Sequence, residues 1–599
     1  MSVDRFLDGL PVGLSHTEAL AAMAAITRYV GAIEGVGEPS AFADITDTPP
    51  ASIPTLLDAL EAIDASVDLL GRAWEQLLAD EARRQQGAHF TPPAVADRLV
   101  GLVLESSEAA TGTAPCAVWD PAAGGGAFLL AAARALELTG GRTRADIVTG
   151  LTATDVDSGA LRVCDAALEI WAGGAARPAT EHVDALLDLP VDGSREFAVI
   201  VGNPPFLGQL TSDTVRSQEM HQRLRERYGS LVGGYVDQAA LFVELGLRCL
   251  SADGAMGLIL PQSFLGARDA ELVRASARQR AHLSALWVDD VGVFEAAVDV
   301  IGAVFSAGMA PDQTGTTSVM VGNAAPVELA TPDPKSWAPL LAGAQGTPVV
   351  SKVVGGQRLG ELALVTAGFR QHFYGIADAV TESQSTANPR LMTAGVIDPL
   401  ANLWGERSVK FAGTRWTAPE LVLDKIEDAE VRRWFESRLV PKLLIASQTA
   451  VLEAVVDPDG QLVPSVPVIS VEPHDVGMLW HIAAALTAPT TSAMMLSQTA
   501  GTGLSASAMR VSAAKIADLS LPSPSPAWDR GARAAEQAHL SWARKDYDSY
   551  AKALTDLAES MIEAYEDDPN VASWWAGRLP KRSTIEASRK GEIDVKRSQ

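Results

Sequence analysis

The sequence predicts an α/β domain on a mostly parallel sheet, preceded by a helical region and followed by a mixed α+β region. Three observations predict it. From about residue 86 to 310, short apolar runs alternate with Ala-rich helical stretches, the pattern of parallel strands joined by crossover helices. A Gly-rich segment, Asp120-Pro121-Ala122-Ala123-Gly124-Gly125-Gly126, stands between one such run and a helical stretch. Acidic residues recur after the next runs, where open α/β sheets present ligand-binding side chains.

The elements follow in chain order. Residues 1–85 read as helical, with apolar residues at helical spacing through Ile53–Leu60 and Leu69–Leu78. Ala117–Trp119 reads as a strand, with a helix from about Ala127. Ile147–Leu151 reads as the next strand, with a helix after Asp157. Phe197–Val201 reads as a third, and Met256–Leu260 as a later one. Pro311–Thr317 marks a turn or linker. Residues 340–525 mix short strands with aromatic and basic residues. Beyond 525 the chain is helical again, with Trp528, Trp542, Trp574 and Trp575 packing it down. The expected divisions are 1–85, 86–330, 331–525 and 526–599.

At 599 residues the chain is long enough for several domains, and 47% hydrophobic content makes it globular. A net charge of −26 argues against indiscriminate nucleic-acid binding, because phosphate contacts need Lys and Arg. It leaves room for a local basic groove. Cys116, Cys164 and Cys249 are scattered, with no CxxC and no zinc spacing. They read as small core residues, and no metal is expected. The apolar segment 478–496 contains His481 and Pro489, so it reads as a buried helix rather than a membrane span. The first residues lack a basic region followed by an apolar run. A cytoplasmic protein with no membrane partner is expected. The basic stretch near the C-terminus, from Arg578 to Arg597, reads as a solvated end.

The Gly-rich loop lets backbone N–H groups approach a ligand closely. Its spacing is neither GxGxxG nor a phosphate loop with GK[ST]. An acid before the glycines repels a pyrophosphate but pairs with an ammonium. Asp155, at the end of the second run, suits ribose hydroxyls, whereas Asp157 reads as a helix cap. Asp184 is a third acid before the run Val199-Ile200-Val201-Gly202. That run ends in Asn203-Pro204-Pro205-Phe206. Two prolines fix φ and lack N–H donors, so the corner offers acceptors. The Asn203 oxygen and the Pro204 carbonyl can accept both hydrogens of an exocyclic amine, and Phe206 can stack on its base. Turn chemistry alone also enriches Asn and Pro.

Taken together, these motifs resemble the N6-adenine DNA methyltransferases of restriction-modification systems, in the class where cofactor motifs precede the catalytic one. The resemblance covers residues 68–310 well and 350–525 loosely. It implies a class I S-adenosylmethionine-dependent methyltransferase fold, Rossmann-like, with a C-terminal target-recognition domain. It implies that Asn203, Pro204, Pro205 and Phe206 are catalytic. It assigns Phe90, Thr91, Pro92, Asp120, Ala122, Gly124, Gly126, Phe128, Asp155 and Asp184 to S-adenosylmethionine. Gly87–Ala96 resembles the family's upstream motif, whose Thr-Pro segment holds the methionine end. Val291–Val298 resembles a later segment, making Phe294 a second stacking face.

The implied reaction is methyl transfer to adenine N6 in duplex DNA, with the base flipped out of the helix. Leu359–Leu362 and Gly368–Gly375 loosely resemble the start of the recognition region. Arg370, Arg407, Lys410 and Arg415 are the candidate DNA-facing cations, interleaved with Phe411 and Trp416. No nuclease cluster is evident in the first 85 residues, so a separate restriction or anti-phage partner is expected. Alternative readings are RNA or protein-glutamine methylation, which also use Asn-Pro-Pro corners, and a non-catalytic DNA-binding scaffold.

Overall fold

A computed structural model describes residues 1–62, 65–78, 91–111, 115, 117–206, 215–233, 237–289, 299–308, 315–350, 356–368, 370–382, 388–501 and 509–580. Phe90, Cys116, Phe294, the Arg370 side chain and the basic stretch from 581 lie outside the described residues. The chain divides into two compact units, Met1–Leu340 and Leu341–Gln599.

The first unit is built on one sheet of nine strands. In chain order these are β1 (Val118–Asp120), β2 (Leu151–Asp155), β3 (Ala179–His182), β4 (Phe197–Gly202), β5 (Leu250–Pro261), β6 (His282–Val288), β7 (Val300–Ser306), β8 (Thr316–Val321) and β9 (Val327–Ala330). The order across the sheet is β3-β2-β1-β4-β5-β7-β6-β8-β9. From β3 to β5 the pairs are parallel, and β7 runs antiparallel to both neighbours. This is the Rossmann-like α/β architecture the sequence predicts. The central strands are buried along most of their length, Val199–Gly202 and Ala255–Pro261 above all, as helices on both faces require. The strand order reverses at β1 and β4, and that crevice is where open α/β sheets bind ligands.

Two sequence expectations are corrected here. Ile147–Leu151 is not one strand. Arg144–Thr149 is a helix, and β2 starts only at Leu151. A capping box starts the helix: the Asp146 N–H donates to Thr143 Oγ1 at 3.1 Å, and the Thr143 N–H donates to Asp146 Oδ2 at 3.2 Å. Ile147 and Val148 are buried either way, so a short apolar run cannot tell the two states apart. The expected third strand is also the fourth, because β3 precedes it. β3 is a polar edge strand, Ala-Thr-Glu-His, largely exposed, and so carries no apolar signal.

The N-terminal helices share one core with the sheet. Helices His16–Ile33, Ser52–Ala59 and Asp68–Leu77 bury Met23, Ile26, Ile53, Leu70 and Trp74 in the same cluster as Leu129, Val163, Cys164 and Leu168. Cys164 and Cys249 are free and buried.

In the second unit, an antiparallel sheet runs in the order Ala363–Ala367, Ile469–Pro473, Lys442–Ile445, Ala454–Asp457. A second sheet joins Val380–Glu382, Pro419–Leu421, Arg390–Met392 and Leu462–Pro464. Helices Pro526–Ala543, Tyr547–Tyr565 and Asn570–Ala576 share the core of the first of these sheets, with Trp528 and Trp575 buried in it. Trp542 is also buried, and Trp574 is partly buried. The apolar run at 478–496 forms two buried helices, Leu479–Thr487 and Pro489–Thr499. Pro489 opens the second, where a missing N–H costs nothing. Among the described residues no helix is long and apolar enough to cross a membrane.

Candidate active site

The Gly-rich loop leaves the C-terminal end of β1 and turns into the helix Ala127–Leu138. Asp120 Oδ1 accepts the Ala122 N–H at 3.0 Å and so fixes the first bend. Gly124 and Gly126 have left-handed backbones, with φ of 49° and 90°, which favours glycine. The three glycines have different surroundings. A Cβ on Gly126 would meet Cys164 Sγ at 2.7 Å, and one on Gly125 would meet Gly71 Cα at 2.6 Å. A Cβ on Gly124 would enter open space. The loop is therefore closed underneath and open at Gly124, where a ligand can lie against the backbone.

Asp155 joins Asp120 in bonding this loop, whereas Asp157 and Asp184 cap helices. Asp155, at the end of β2, accepts the Gly124 N–H on Oδ2 at 2.8 Å and the Asp157 N–H on Oδ1 at 2.8 Å. Asp157 caps the helix Ser158–Trp171 through the Gly159 and Ala160 N–H groups. Asp184 caps the short helix Ala185–Asp188, accepting from Leu186 at 3.0 Å and Leu187 at 3.1 Å. Burial raises the pKa of Asp120, Asp155 and Asp184. For Asp120, only 1% exposed, the shift is large, and the nearby Asp155 charge adds to it. The Phe128 ring, at the start of the following helix, is 2% exposed and packs in the hydrophobic core.

Next to this loop, β4 delivers the Asn-Pro-Pro-Phe corner. Gly202 makes the approach possible, because a Cβ there would lie 2.6 Å from Asp120 Oδ1. Asn203 follows directly and donates from Nδ2 to Thr91 Oγ1 at 3.1 Å. Pro204 is buried, while Pro205 and Phe206 are half-buried, with Phe206 against the main core. Thr91 and Pro92 lead into the helix Pro93–Thr111, and the Pro92 carbonyl accepts the Val95 N–H at 2.9 Å. The structure thus gathers Thr91, Asp120, Ala122, Gly124, Asp155 and Asn203 around the β1–β4 crevice.

Sequence reasoning missed the brace from the N-terminal helices. Trp74 Nε1 donates to Asp157 Oδ2 at 3.2 Å, and its indole covers Gly159, where a Cβ would collide at 2.3 Å. One turn earlier on the same helix, Gly71 lies against Gly125. Helical spacing marks Trp74 as buried but carries no signal for its partner. A glycine inside a helix was the one hint at Gly71, since it usually has a packing reason.

The candidate DNA-facing cations lie in the second unit. Lys410 and Arg415 sit opposite each other on the hairpin Val409–Phe411/Thr414–Trp416, both exposed. Arg407 is placed differently. Its guanidinium donates to both oxygens of Asp398, at 3.1 and 3.2 Å, and to the Gly395 carbonyl at 2.9 Å. Asp398 is 2% exposed, so Arg407 neutralises a buried carboxylate within the fold. A cavity of about 710 Å³ in this unit is lined by Trp542, Tyr550, Leu554 and Trp575, among others. Two of its polar rings bond to backbone: Trp542 Nε1 donates to the Asn402 carbonyl at 2.9 Å and the Tyr550 hydroxyl to the Pro399 carbonyl at 2.7 Å. The buried Trp575 Nε1 has no hydrogen-bond partner among the described residues.

Comparison with known proteins fits this geometry. No curated protein sequence matches the chain. Among solved structures, a nuclease-deletion mutant of the type ISP restriction-modification enzyme LlaGI, in complex with a DNA substrate mimic, has a TM-score of 0.53 at 10% identity. That match covers 87% of this chain and 62% of that one. The DrdV–DNA complex also has a TM-score of 0.53, at 9% identity, covering 82% and 61%. The type IIG restriction endonuclease BpuSI has a TM-score of 0.45 at 13% identity, covering 94% and 79%. The chain thus spans about three fifths of the first two, and at these identities the likeness is one of fold. The sequence itself matches the family model "N-6 DNA Methylase" over residues 65–281.

Proposed function

We propose that this chain transfers a methyl group from S-adenosylmethionine to adenine N6 at specific duplex DNA sites, as the modification component of a restriction-modification or anti-phage system. The observation that carries the reading is the β1–β4 crevice. There the Asn203-Pro204-Pro205-Phe206 corner stands beside a Gly-rich loop bonded to the carboxylates of Asp120 and Asp155, inside the span matching the N-6 DNA methylases.

The residues present fit the cofactor. The loop from Asp120 to Gly126 contains no Lys or Arg to hold a pyrophosphate. Asp120, Asp155 and Asp184 suit an ammonium and ribose hydroxyls instead, and the open space at Gly124 admits a ligand. Asp155 is held in place by two backbone N–H groups, which leaves further lone pairs for hydroxyl donors. When bound, S-adenosylmethionine supplies an electrophilic methyl group on a sulfonium.

The remaining work belongs to the corner. Asn203 Oδ1 and the Pro204 carbonyl accept the two N6 hydrogens and localise the nitrogen lone pair. Phe206 stacks on the extruded base, returning about 1–3 kcal/mol of the cost of unstacking. Positioning and preorganised acceptors then carry the catalysis, with no covalent nucleophile. Lys410 and Arg415, opposite each other and exposed on one hairpin, are the candidate phosphate contacts.

The test is transfer of labelled methyl from S-adenosylmethionine to duplex DNA by purified protein. Sequencing for N6-methyladenine in cells with and without the gene then gives the recognised site. Label appearing only in RNA or protein overturns the substrate assignment. Activity that appears only when neighbouring gene products are added identifies the defence partner as obligatory.

A further inference from the structure

We infer that Thr91 is a positioning residue for Asn203: its hydroxyl holds the catalytic amide with the NH2 end turned away from the target amine. The inference rests on the function proposed above and adds a role that the Thr-Pro resemblance does not assign.

A carboxamide is nearly symmetrical in shape, yet its two ends are chemically opposite. Only the oxygen end accepts hydrogens from an adenine amino group; the NH2 end would set donor against donor. Prolines follow Asn203 and fix the backbone, but they do nothing for the last torsion of its side chain. A contact 112 residues away bears on that torsion: Nδ2 donates to Thr91 Oγ1 at 3.1 Å. With Nδ2 turned to Thr91, Oδ1 is the end that can accept from the base.

Thr91 is well placed for this role. It is 6% exposed, so bulk water does not compete for its hydroxyl. It stands at the head of the helix Pro93–Thr111, which lies directly on the sheet. A Cβ on Gly257 of β5 would meet Val103 at 2.3 Å, and one on Gly302 of β7 would meet Leu99 at 2.9 Å. Val95, Leu99, Val100 and Val103 are all buried. Asn203 leaves β4 of the same sheet. Both partners are therefore mounted on rigid elements of one core, as a catalytic orientation demands.

The experiment compares Thr91→Val, which keeps the shape and removes the hydroxyl, with Thr91→Ser, which keeps the hydroxyl. Thr91→Ala serves as a second hydroxyl-free variant. For each we would measure the melting temperature, S-adenosylmethionine affinity by titration calorimetry, and single-turnover methylation of duplex DNA. For Thr91→Val we expect a rate lower by about tenfold or more, with cofactor affinity within about threefold of wild type. Thr91→Ser should recover most of the rate. A Thr91→Val rate equal to wild type overturns the inference. So does a rate loss matched by an equal loss of cofactor affinity, which makes Thr91 a cofactor contact. Thr91→Ser as slow as Thr91→Val also overturns it, since packing of the methyl group is then what matters. Wild-type protein that methylates no duplex adenine overturns the underlying function, and is distinguishable because it requires no variant.

Discussion

Each buried polar residue in the crevice answers to a different requirement. Asn203→Ala removes the proposed side-chain acceptor of the target amine without touching the Gly-rich loop. Methylation should fall by about a hundredfold or more while cofactor affinity stays within a few fold. Undiminished methylation would remove Asn203 from the mechanism. Asp120 makes a prediction about stability. Burial, and then the charge of Asp155, raises its carboxyl well above the ordinary 3.8. The folded state therefore holds this proton more tightly than the unfolded chain. Stability contributed by the site is highest below pH 3.8 and declines as pH rises from there through the raised value. Asp120→Asn keeps an oxygen for the Ala122 N–H and removes the titration. The variant should be at least as stable as wild type at pH 7 and should lose that part of the slope. Melting curves across pH check both points, and an unchanged slope would place the titration elsewhere.

Between elements, the N-terminal helix Asp68–Leu77 packs against the Gly-rich loop of the proposed cofactor site. It touches the loop through a pair of glycines whose needs are unequal. A Cβ on Gly125 would lie 2.6 Å from Gly71 Cα, whereas a Cβ on Gly71 would come no closer than 3.5 Å to Gly125. Gly125→Ala should cost about 1–3 kcal/mol by overpacking and weaken cofactor binding. Gly71→Ala should be neutral, or stabilise the helix by up to about 1 kcal/mol. Thermal melts and cofactor titration of the two variants measure this asymmetry directly. Equal effects would mean that the helix does not bear on the loop as described. The corrected segment at 144–149 teaches a related lesson. Its capping box, Thr143-x-x-Asp146, was readable in the sequence as a helix start, but the apolar run behind it satisfied strand and helix equally.

For the molecule as a whole, a net charge of −26 sets the terms of DNA binding. Attraction must come from local cations rather than from the body of the protein. Lys410 and Arg415 are exposed and opposed on one hairpin, whereas Arg407 is spent on Asp398. Lys410→Ala and Arg415→Ala should each weaken binding similarly across DNA sequences and lower the salt slope by about one. Arg407→Ala should instead destabilise the second unit by leaving Asp398 buried and unpaired, by about 3–5 kcal/mol. Salt-dependent binding isotherms and melting curves distinguish the two classes; a salt slope unmoved by the hairpin variants would exclude those cations from the interface.

The sequence by itself determined the alternating α/β pattern, the Gly-rich turn after β1, the acid at the end of β2, the acid Asp184 ahead of β4, and the Asn-Pro-Pro-Phe corner after β4. These are local signals: periodicity, turn chemistry and residue type at a strand end are written in consecutive residues. Tertiary structure alone decided which of these residues meet. It brought Thr91 to Asn203, Trp74 to Asp157, Gly71 to Gly125 and Arg407 to Asp398. It buried the Phe128 ring in the core and inserted the polar edge strand β3 that no apolar run announces. Such pairings join residues from 9 to 112 positions apart. They depend on how a twisted parallel sheet brings separate strand ends and helix starts to one crevice, and no pattern of neighbouring residues specifies that.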